Sequence, residues 1–277
     1  MTALSNEPYK LEAVGLSDRG SLRSLNEDAF AIDTGHGFAL VADGMGGHNA
    51  GEVASRLVTE VLHQALTARV RRFRSGVRLP GPVQFAEHAV ARANRALLEA
   101  AATRPDYRNM GTTLALLLLV RDRIVLLHVG DSRIYRLRGG RLEQLSRDDS
   151  LLADQLQLGL ISTAEAKVSH NRHFVTAALG HTSTPDLHVQ ETDVQCGDIY
   201  LLCTDGLSDL VDHQDMELIV DRLRTNLPLA AEHLVQLAND LGGNDNITVV
   251  LAGVRTAASG KGGGKGLIAR LLRWLGR

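Results

Sequence analysis

Four short segments of this 277-residue chain share one arrangement: an aspartate beside glycine or asparagine at the end of an apolar, strand-like run. They are Leu40-Val41-Ala42-Asp43-Gly44, His128-Val129-Gly130-Asp131-Ser132, Leu202-Cys203-Thr204-Asp205-Gly206 and Gly243-Asn244-Asp245-Asn246. A strand end holds a side chain on a rigid element while leaving it within reach of solvent. The adjacent glycine lets backbone or ligand approach closely. One such segment reads as an ordinary Asp-Gly turn. Four of them point elsewhere, because carboxylates gathered together repel and lose hydration unless a cation neutralises them. Hard oxygen donors without neighbouring His or Cys favour Mg²⁺ or Mn²⁺ over zinc. The acids by themselves therefore suggest a divalent-ion site.

Composition sets the frame for that site. At 44% hydrophobic and 22% charged, the chain is too apolar for a disordered protein and long enough for one large domain or two small ones. Its two cysteines, Cys196 and Cys203, form no metal or disulfide pattern, and Cys203 sits in an apolar run as a small buried hydrophobe. The N-terminus lacks the apolar stretch of a signal peptide. The longest apolar run, Leu114 to Val120, falls short of the roughly 20 residues that span a bilayer. The expected setting is a reducing cytoplasm. The formal net charge of -2 gives no reason to expect nucleic acid as a partner, but it conceals an asymmetry. From Thr256 onward the chain carries Lys261, Lys265, Arg270, Arg273 and Arg277 with no acid, leaving 25 bases against 32 acids before it.

Periodicity gives the order of elements. Strand patterns cover Leu11–Ser17 and Gly37–Ala42. A helix follows, with Val53, Leu57, Val61 and Ala65 at spacing four, flanked by Ala54, Val58, Leu62 and Leu66. Pro82 opens a second helix that runs to Thr103. The arginines between them (Arg69, Arg71, Arg72, Arg74 and Arg78) read as cations at a helix C-terminus and in a solvated loop, with a polyanion patch as the alternative. Further strands are expected at Thr112–Val120, Arg123–Val129, Ser132–Leu137 and Arg141–Leu145, the last two joined by Gly139-Gly140. A mostly helical middle section contains Ser162-Thr163-Ala164-Glu165, which has capping-box spacing. Strand patterns return at Leu187–Glu191, Ile199–Cys203 and Asn246–Val254, with helices at Asp215–Leu223 and Leu229–Leu241 between the last two. Strands interleaved with helix pairs argue for an antiparallel-rich α+β domain.

Order and spacing add a specific resemblance. Ser17-Asp18-Arg19-Gly20-Ser21-Leu22-Arg23-Ser24-Leu25-Asn26-Glu27-Asp28 resembles the opening motif of the protein phosphatase 2C family, the metal-dependent Ser/Thr phosphatases, in its compact bacterial branch. Ala42-Asp43-Gly44-Met45-Gly46-Gly47-His48, Gly111-Thr112-Thr113, Val129-Gly130-Asp131-Ser132-Arg133, Asp205-Gly206 and Gly243-Asn244-Asp245-Asn246-Ile247-Thr248 follow in the family's order. The resemblance implies a four-layer α/β/β/α sandwich of two antiparallel sheets flanked by helices. It implies two Mn²⁺ or Mg²⁺ ions bridged by Asp43, with the Gly44 carbonyl on one, Asp205 and Asp245 on the other, and Asp131 helping to bind a third beside Asp205. Glu27 and Asp28 would act through bound water, Asn246 would support Asp245, and Arg23 would hold the substrate phosphate. The implied reaction is hydrolysis of phosphoserine and phosphothreonine by in-line attack of a water bridging the two ions, with phosphorylated proteins as substrates and a Ser/Thr kinase as counterpart. The chain is expected to work as a monomer.

Two positions depart from the family. Met45 stands where eukaryotic relatives often carry a His proposed as general acid, and Ala177 stands where many relatives carry Arg before Ala178-Leu179-Gly180. Residues 148–170 match a variable flap beside the site. A non-enzymatic phosphoprotein-binding regulator and a membrane-recruited adaptor are the alternative readings.

The domain is expected over residues 1–255, with a flexible Gly/Lys linker at 256–266. Residues 267–277 form a basic amphipathic pattern: Leu267, Ile268, Leu271, Leu272, Trp274 and Leu275 share one helical face, opposite Arg270, Arg273 and Arg277. Such a segment suits an anionic membrane surface or a groove on a partner protein, giving a peripheral location at the inner face of the membrane.

Overall fold

The computed structural model describes residues 8–47, 50–74, 80–162, 165 and 174–257, with 69–74 described as backbone alone. In chain order the elements are β1 Tyr9–Asp18, β2 Asp28–Asp33, β3 Phe38–Met45, α1 Ala50–Arg74, α2 Pro82–Thr103, β4 Gly111–Thr112, β5 Leu114–Val120, β6 Arg123–Val129, β7 Arg133–Arg138, β8 Arg141–Gln144, α3 Leu151–Gln157, β9 His188–Asp193, β10 Ile199–Cys203, α4 Asp205–Ser208, α5 His213–Arg222, α6 Leu227–Asp240 and β11 Ile247–Thr256.

The strands pair antiparallel in two sheets, one ordered β1-β11-β10-β7-β8 and the other β2-β3-β5-β6-β9, with β4 added to the end of β3. Period-two side-chain alternation sorts their residues into three apolar layers. Ala39, Val41, Ala115, Leu117, Tyr200, Leu202, Val250 and Ala252 meet between the sheets. Phe38, Leu40, Leu114, Leu116 and Leu118 face outward onto α1 and α2. Leu201, Cys203, Val249 and Leu251 face outward onto α5 and α6. Central strands buried on both faces explain why β3, β5 and β10 read as continuous apolar runs. The result is the expected α/β/β/α sandwich.

Several boundaries differ from the sequence reading. Strand β2 carries no expectation there, because it is an edge strand with five of its six residues only half-buried and so lacks a strong apolar pattern. Helix α1 continues through Arg74, so Arg69, Arg71, Arg72 and Arg74 are helical and not part of the connection. The most buried line of α1 is Ala54, Val58, Leu62 and Leu66, one residue round from the Val53 line, of which Val53, Leu57 and Val61 are half-buried and Ala65 is buried. Asp43 lies inside β3, and Asp245 precedes β11 instead of ending a strand. The β7–β8 hairpin turns through Gly139 and Gly140 at φ +60° and +81°, the left-handed pair that such a turn demands. Ser162 and Glu165 make the reciprocal capping-box bonds: the Glu165 N–H donates to Ser162 Oγ at 3.3 Å and the Glu165 carboxylate accepts from the Ser162 N–H at 2.7 Å. The rest of that helix, Arg78 and residues 267–277 lie outside the described residues. Among the described residues, no helix is long and apolar enough to cross a membrane.

Candidate active site

Antiparallel pairing gathers the motifs at one end of the sandwich. The end of β1 meets the start of β11, Asp18 opposite Ile247, and the start of β2 meets the end of β3, Asp28 opposite Asp43. Cys203, at the end of β10, lies beside Val249 on one side and Arg133 on the other.

Arg23, Asp43, Gly44, Asp131, Asp205 and Asp245, all singled out in the sequence, line one cavity of about 510 Å³, with Glu27 and Asn246 also on its wall. Asp28 does not line it. It is buried behind the cavity, where its Oδ2 accepts from Thr204 Oγ1 at 2.9 Å. Met45 is on the wall and has no proton to donate; His48 lies outside the described residues.

The carboxylates are held under electrostatic tension. Burial, followed by the fields of Asp28, Asp205, Asp131 and Asp245, raises Asp43 well above the usual carboxylate range. Burial and then Asp205 raise Asp131 and Asp245 likewise. Asp28 is pushed up to about 7 by burial against two threonine hydrogen bonds. Its Oδ1 is buried with no hydrogen-bond partner among the described residues. Oxygen donors that destabilise one another's ionised forms fit a hard divalent cation, which would reverse that penalty.

Arg23 pairs with Asp245, Nη2 to Oδ2 at 2.6 Å, and not with Glu27 one helical turn away in sequence. Burial pulls the guanidinium down, but Asp245, Asp205 and Asp43 together leave it raised. One N–H meets Asp245, so among the described residues four of the five guanidinium donors are still available to an anion.

Asn246 has a larger structural part than support of Asp245. Its backbone N–H donates to Asp245 Oδ1 at 2.8 Å. Its side chain accepts from the Glu27 N–H at 2.8 Å and donates to the Arg19 and Leu25 carbonyls at 2.9 and 2.8 Å, closing the 19–27 loop that carries Arg23. Gly44 is required by space. A Cβ there would overlap the Gly51 carbonyl oxygen and come within 2.6 Å of the Glu27 carbonyl oxygen. Gly44→Ala should therefore destabilise the fold by about 1–3 kcal/mol or more, read as a fall in chemical-denaturation midpoint; an unchanged midpoint would contradict this packing.

Sequence reasoning assigned no role to several residues that build the site. Thr112 Oγ1 donates to the Asp43 carbonyl at 2.8 Å, and Thr113 Oγ1 accepts from the Asp43 N–H at 3.0 Å while contacting Ser132 Oγ at 2.7 Å. The Gly111-Thr112-Thr113 motif thus clamps Asp43, and its place in the motif order was the signal. Arg133 grips both oxygens of Asp148, at 2.6 to 3.0 Å, directly behind Asp131. Asp209 adds a carboxylate to the wall, and Phe174, Val175 and Leu210 add an apolar lip. Leu179, after Ala177-Ala178, exchanges backbone bonds with Thr112 at 3.0 and 3.1 Å, so this segment buttresses β4.

Fold and cavity together define a β-sandwich protein with an all-oxygen, cation-demanding centre. The chain belongs to the protein phosphatase 2C family, whose model matches residues 20–242. It is 40% identical over 240 residues to the serine/threonine protein phosphatase PstP of Mycobacterium tuberculosis, covering 86% of this chain and 44% of that protein. It therefore spans less than half the length of that relative. It is 34% identical over 241 residues to the serine/threonine phosphatase stp of Listeria monocytogenes, covering 85% of this chain and 92% of that protein. The crystal structure of the catalytic domain of PstP in complex with two manganese ions superposes with a TM-score of 0.77 at 36% identity, covering 89% of this chain and 99% of that one.

Proposed function

We propose that this chain is a Ser/Thr phosphoprotein phosphatase that requires Mn²⁺ or Mg²⁺ and reverses the action of a Ser/Thr kinase. The observation that carries this reading is the convergence of Asp43, Asp131, Asp205, Asp245 and Arg23 on one cavity. The relatives' names and the manganese bound to the PstP domain support it. Asp43, the Gly44 carbonyl, Asp205 and Asp245 would hold two ions, and Asp131 with Asp205 a third. Such ions supply Lewis acidity toward phosphoryl oxygens and acidify water at neutral pH.

The chain's own residues do the rest. Glu27, at the wall, accepts a hydrogen bond from water in the cavity and orients it, while Asp28, behind the wall and held by Thr204, acts on the site through its place opposite Asp43. The Thr112–Thr113 clamp holds Asp43 at a set depth. Arg23 is the sole basic side chain among the described lining residues, so it draws in the phosphate dianion and binds its oxygens with the donors not used on Asp245. Phe174 and Leu210 contact the apolar part of the phosphopeptide at the mouth. Met45 supplies no proton, so the leaving alkoxide takes its proton from water.

The direct test is Mn²⁺-dependent hydrolysis of a phosphothreonine peptide, with Asp205→Ala as control. Turnover no higher than that control would leave a phosphoprotein-binding regulator as the better reading. Arg23→Ala should raise KM for the peptide about tenfold or more while Mn²⁺ affinity survives, since a hydrogen-bonded charge contributes about 1.5–3 kcal/mol. Collapse of Mn²⁺ affinity in that variant would overturn the phosphate role.

Residues 1–255 would be the catalytic domain, monomeric, and 256–266 its tether. Residues 267–277 would settle on an anionic membrane surface through Trp274 and the leucine face. Co-sedimentation with phosphatidylglycerol vesicles should fall sharply when 267–277 is deleted. Unchanged sedimentation would remove the membrane role, and absence of binding by the full chain would leave docking to a partner protein.

A further inference from the structure

Away from the carboxylate cavity, three potential ligands converge from separate parts of the chain. His128 near the end of β6 and His188 at the start of β9 are directly opposite in the strand register. Their rings stack with centroids 4.6 Å apart and planes 18° from parallel. Asp149, in the loop after β8, reaches them from the side, its Oδ1 lying 2.7 Å from His188 Nε2. One ligand atom from each of the three lies within 4.8 Å of the others. Beside them is a separate cavity of about 370 Å³, lined in part by His128, Arg147 and His188.

The surroundings orient these groups. His128 Nε2 is 2.6 Å from the Arg147 carbonyl oxygen. The Arg147 N–H lies 3.2 Å from the same nitrogen, so the Arg147 backbone brackets one ring nitrogen of His128 from both of its polar groups. A ring nitrogen bonded to a backbone carbonyl is the usual outer contact of a metal-binding histidine. Burial lowers the pKa of His128, keeping the ring neutral and able to coordinate. Asp149 is anchored as firmly: its Oδ2 accepts from the Gly130 N–H and its own N–H donates to the Gly130 carbonyl, both at 2.9 Å, and its carbonyl accepts from the Thr176 N–H at 2.8 Å. His128 and Asp149 are thus held by backbone bonds that do not depend on an ion.

We propose that His128, Asp149 and His188 form a second cation site that takes a borderline divalent ion of the Zn²⁺ class. Two imidazoles and one carboxylate are a nitrogen-rich set that zinc-like ions prefer and Mg²⁺ does not, in contrast to the oxygen-only cavity. Three protein ligands leave a fourth position for water. Coordination takes the place of the His188–Asp149 hydrogen bond. It fixes the loop at Asp149 to the β6–β9 edge and, through the Gly130 bracket, stiffens the turn that presents Asp131. The site requires no phosphatase activity and stands apart from that reading.

Co²⁺ is the probe, because four-coordinate Co²⁺ with nitrogen ligands absorbs strongly in the visible while six-coordinate Co²⁺ on oxygen does not. The full chain, titrated with Co²⁺ in excess Mg²⁺, should develop one equivalent of the intense absorption. Asp43→Asn should keep it. His128→Ala and His188→Ala should weaken the binding at least about tenfold while Mn²⁺-dependent hydrolysis stays within about twofold of the parent. His188→Gln, which preserves a hydrogen bond to Asp149, decides the matter if an alanine variant does not fold. Absence of the absorption in the parent chain, or its survival in the folded histidine variants, overturns the proposal. Its loss in Asp43→Asn alone would place the ion in the carboxylate cavity and overturn it as well.

Discussion

Replacing Asp43 with asparagine is expected to lower Mn²⁺-dependent phosphopeptide hydrolysis on the order of a thousandfold, because a catalytic cation contributes several kcal/mol of charge stabilisation. Asp43 is the carboxylate on which the others' fields converge: Asp28, Asp205, Asp131 and Asp245 all raise its pKa, after burial itself. The same replacement is expected to raise the melting temperature of the metal-free protein at neutral pH. Asparagine keeps the shape and removes a buried charge that the fold disfavours. The two effects together separate a functional carboxylate from a structural one, since a structural acid would lose stability when neutralised. Activity within tenfold of the parent, or a lowered melting temperature in EDTA, would count against the cation role of Asp43. In saturating Mn²⁺ the order of stabilities should invert, since an ion that binds only the native state stabilises the parent by mass action.

The second large effect is on pH dependence. In EDTA the folded protein should lose stability as pH rises, by a few kcal/mol between about pH 4 and pH 7. Asp28 rises from its usual 3.8 to about 7 in the fold, with burial the leading cause. It therefore holds its proton more tightly folded than unfolded. The stability contributed by that proton is complete below the unfolded value and is lost as pH climbs through the folded one. Asp43, Asp131 and Asp245 shift in the same direction. Urea denaturation in EDTA across this range should show the decline, and Asp28→Asn should flatten it. A stability that is level or increases with pH would show that these carboxylates are not under the strain described. Mn²⁺ should reduce the decline, because the ion and the protons compete for the oxygens of Asp43, Asp131 and Asp245.

The order of strands was largely legible in the sequence, and so were the four aspartates. Ile199–Cys203 and Arg123–Val129 match their strands residue for residue, the first an uninterrupted apolar run and the second built on the apolar stretch Ile124–Leu127. Helix α2 is equally clear, with proline at its first turn. Edge strand β2 was not legible, since it is half-buried and pairs on one side with β3. That strand sets Asp28 directly opposite Asp43 and so builds the electrostatic centre of the site.

Local chemistry was readable because it depends on residues a few positions apart: the apolar periodicities, the Gly139-Gly140 turn, the Asp-Gly steps and the oxygen-only donor set. Partners hundreds of positions away were not. The sequence marks Arg23 for the substrate phosphate but names no protein partner for it; antiparallel pairing of β1 with β11 delivers Asp245 to it at 2.6 Å. Asn246 looked like a neighbour of Asp245, yet its side chain closes the loop of residues 19–27 on the other side of the chain's length. His128, Asp149 and His188 carry no common motif at all, and only the β6–β9 register brings them within reach of one ion. Sequence periodicity determines which face of an element is buried, because that is a property of consecutive residues. Which carboxylate meets which base, and how strongly each is held from ionising, is decided by strand register and burial, which exist only once the two sheets have closed on each other.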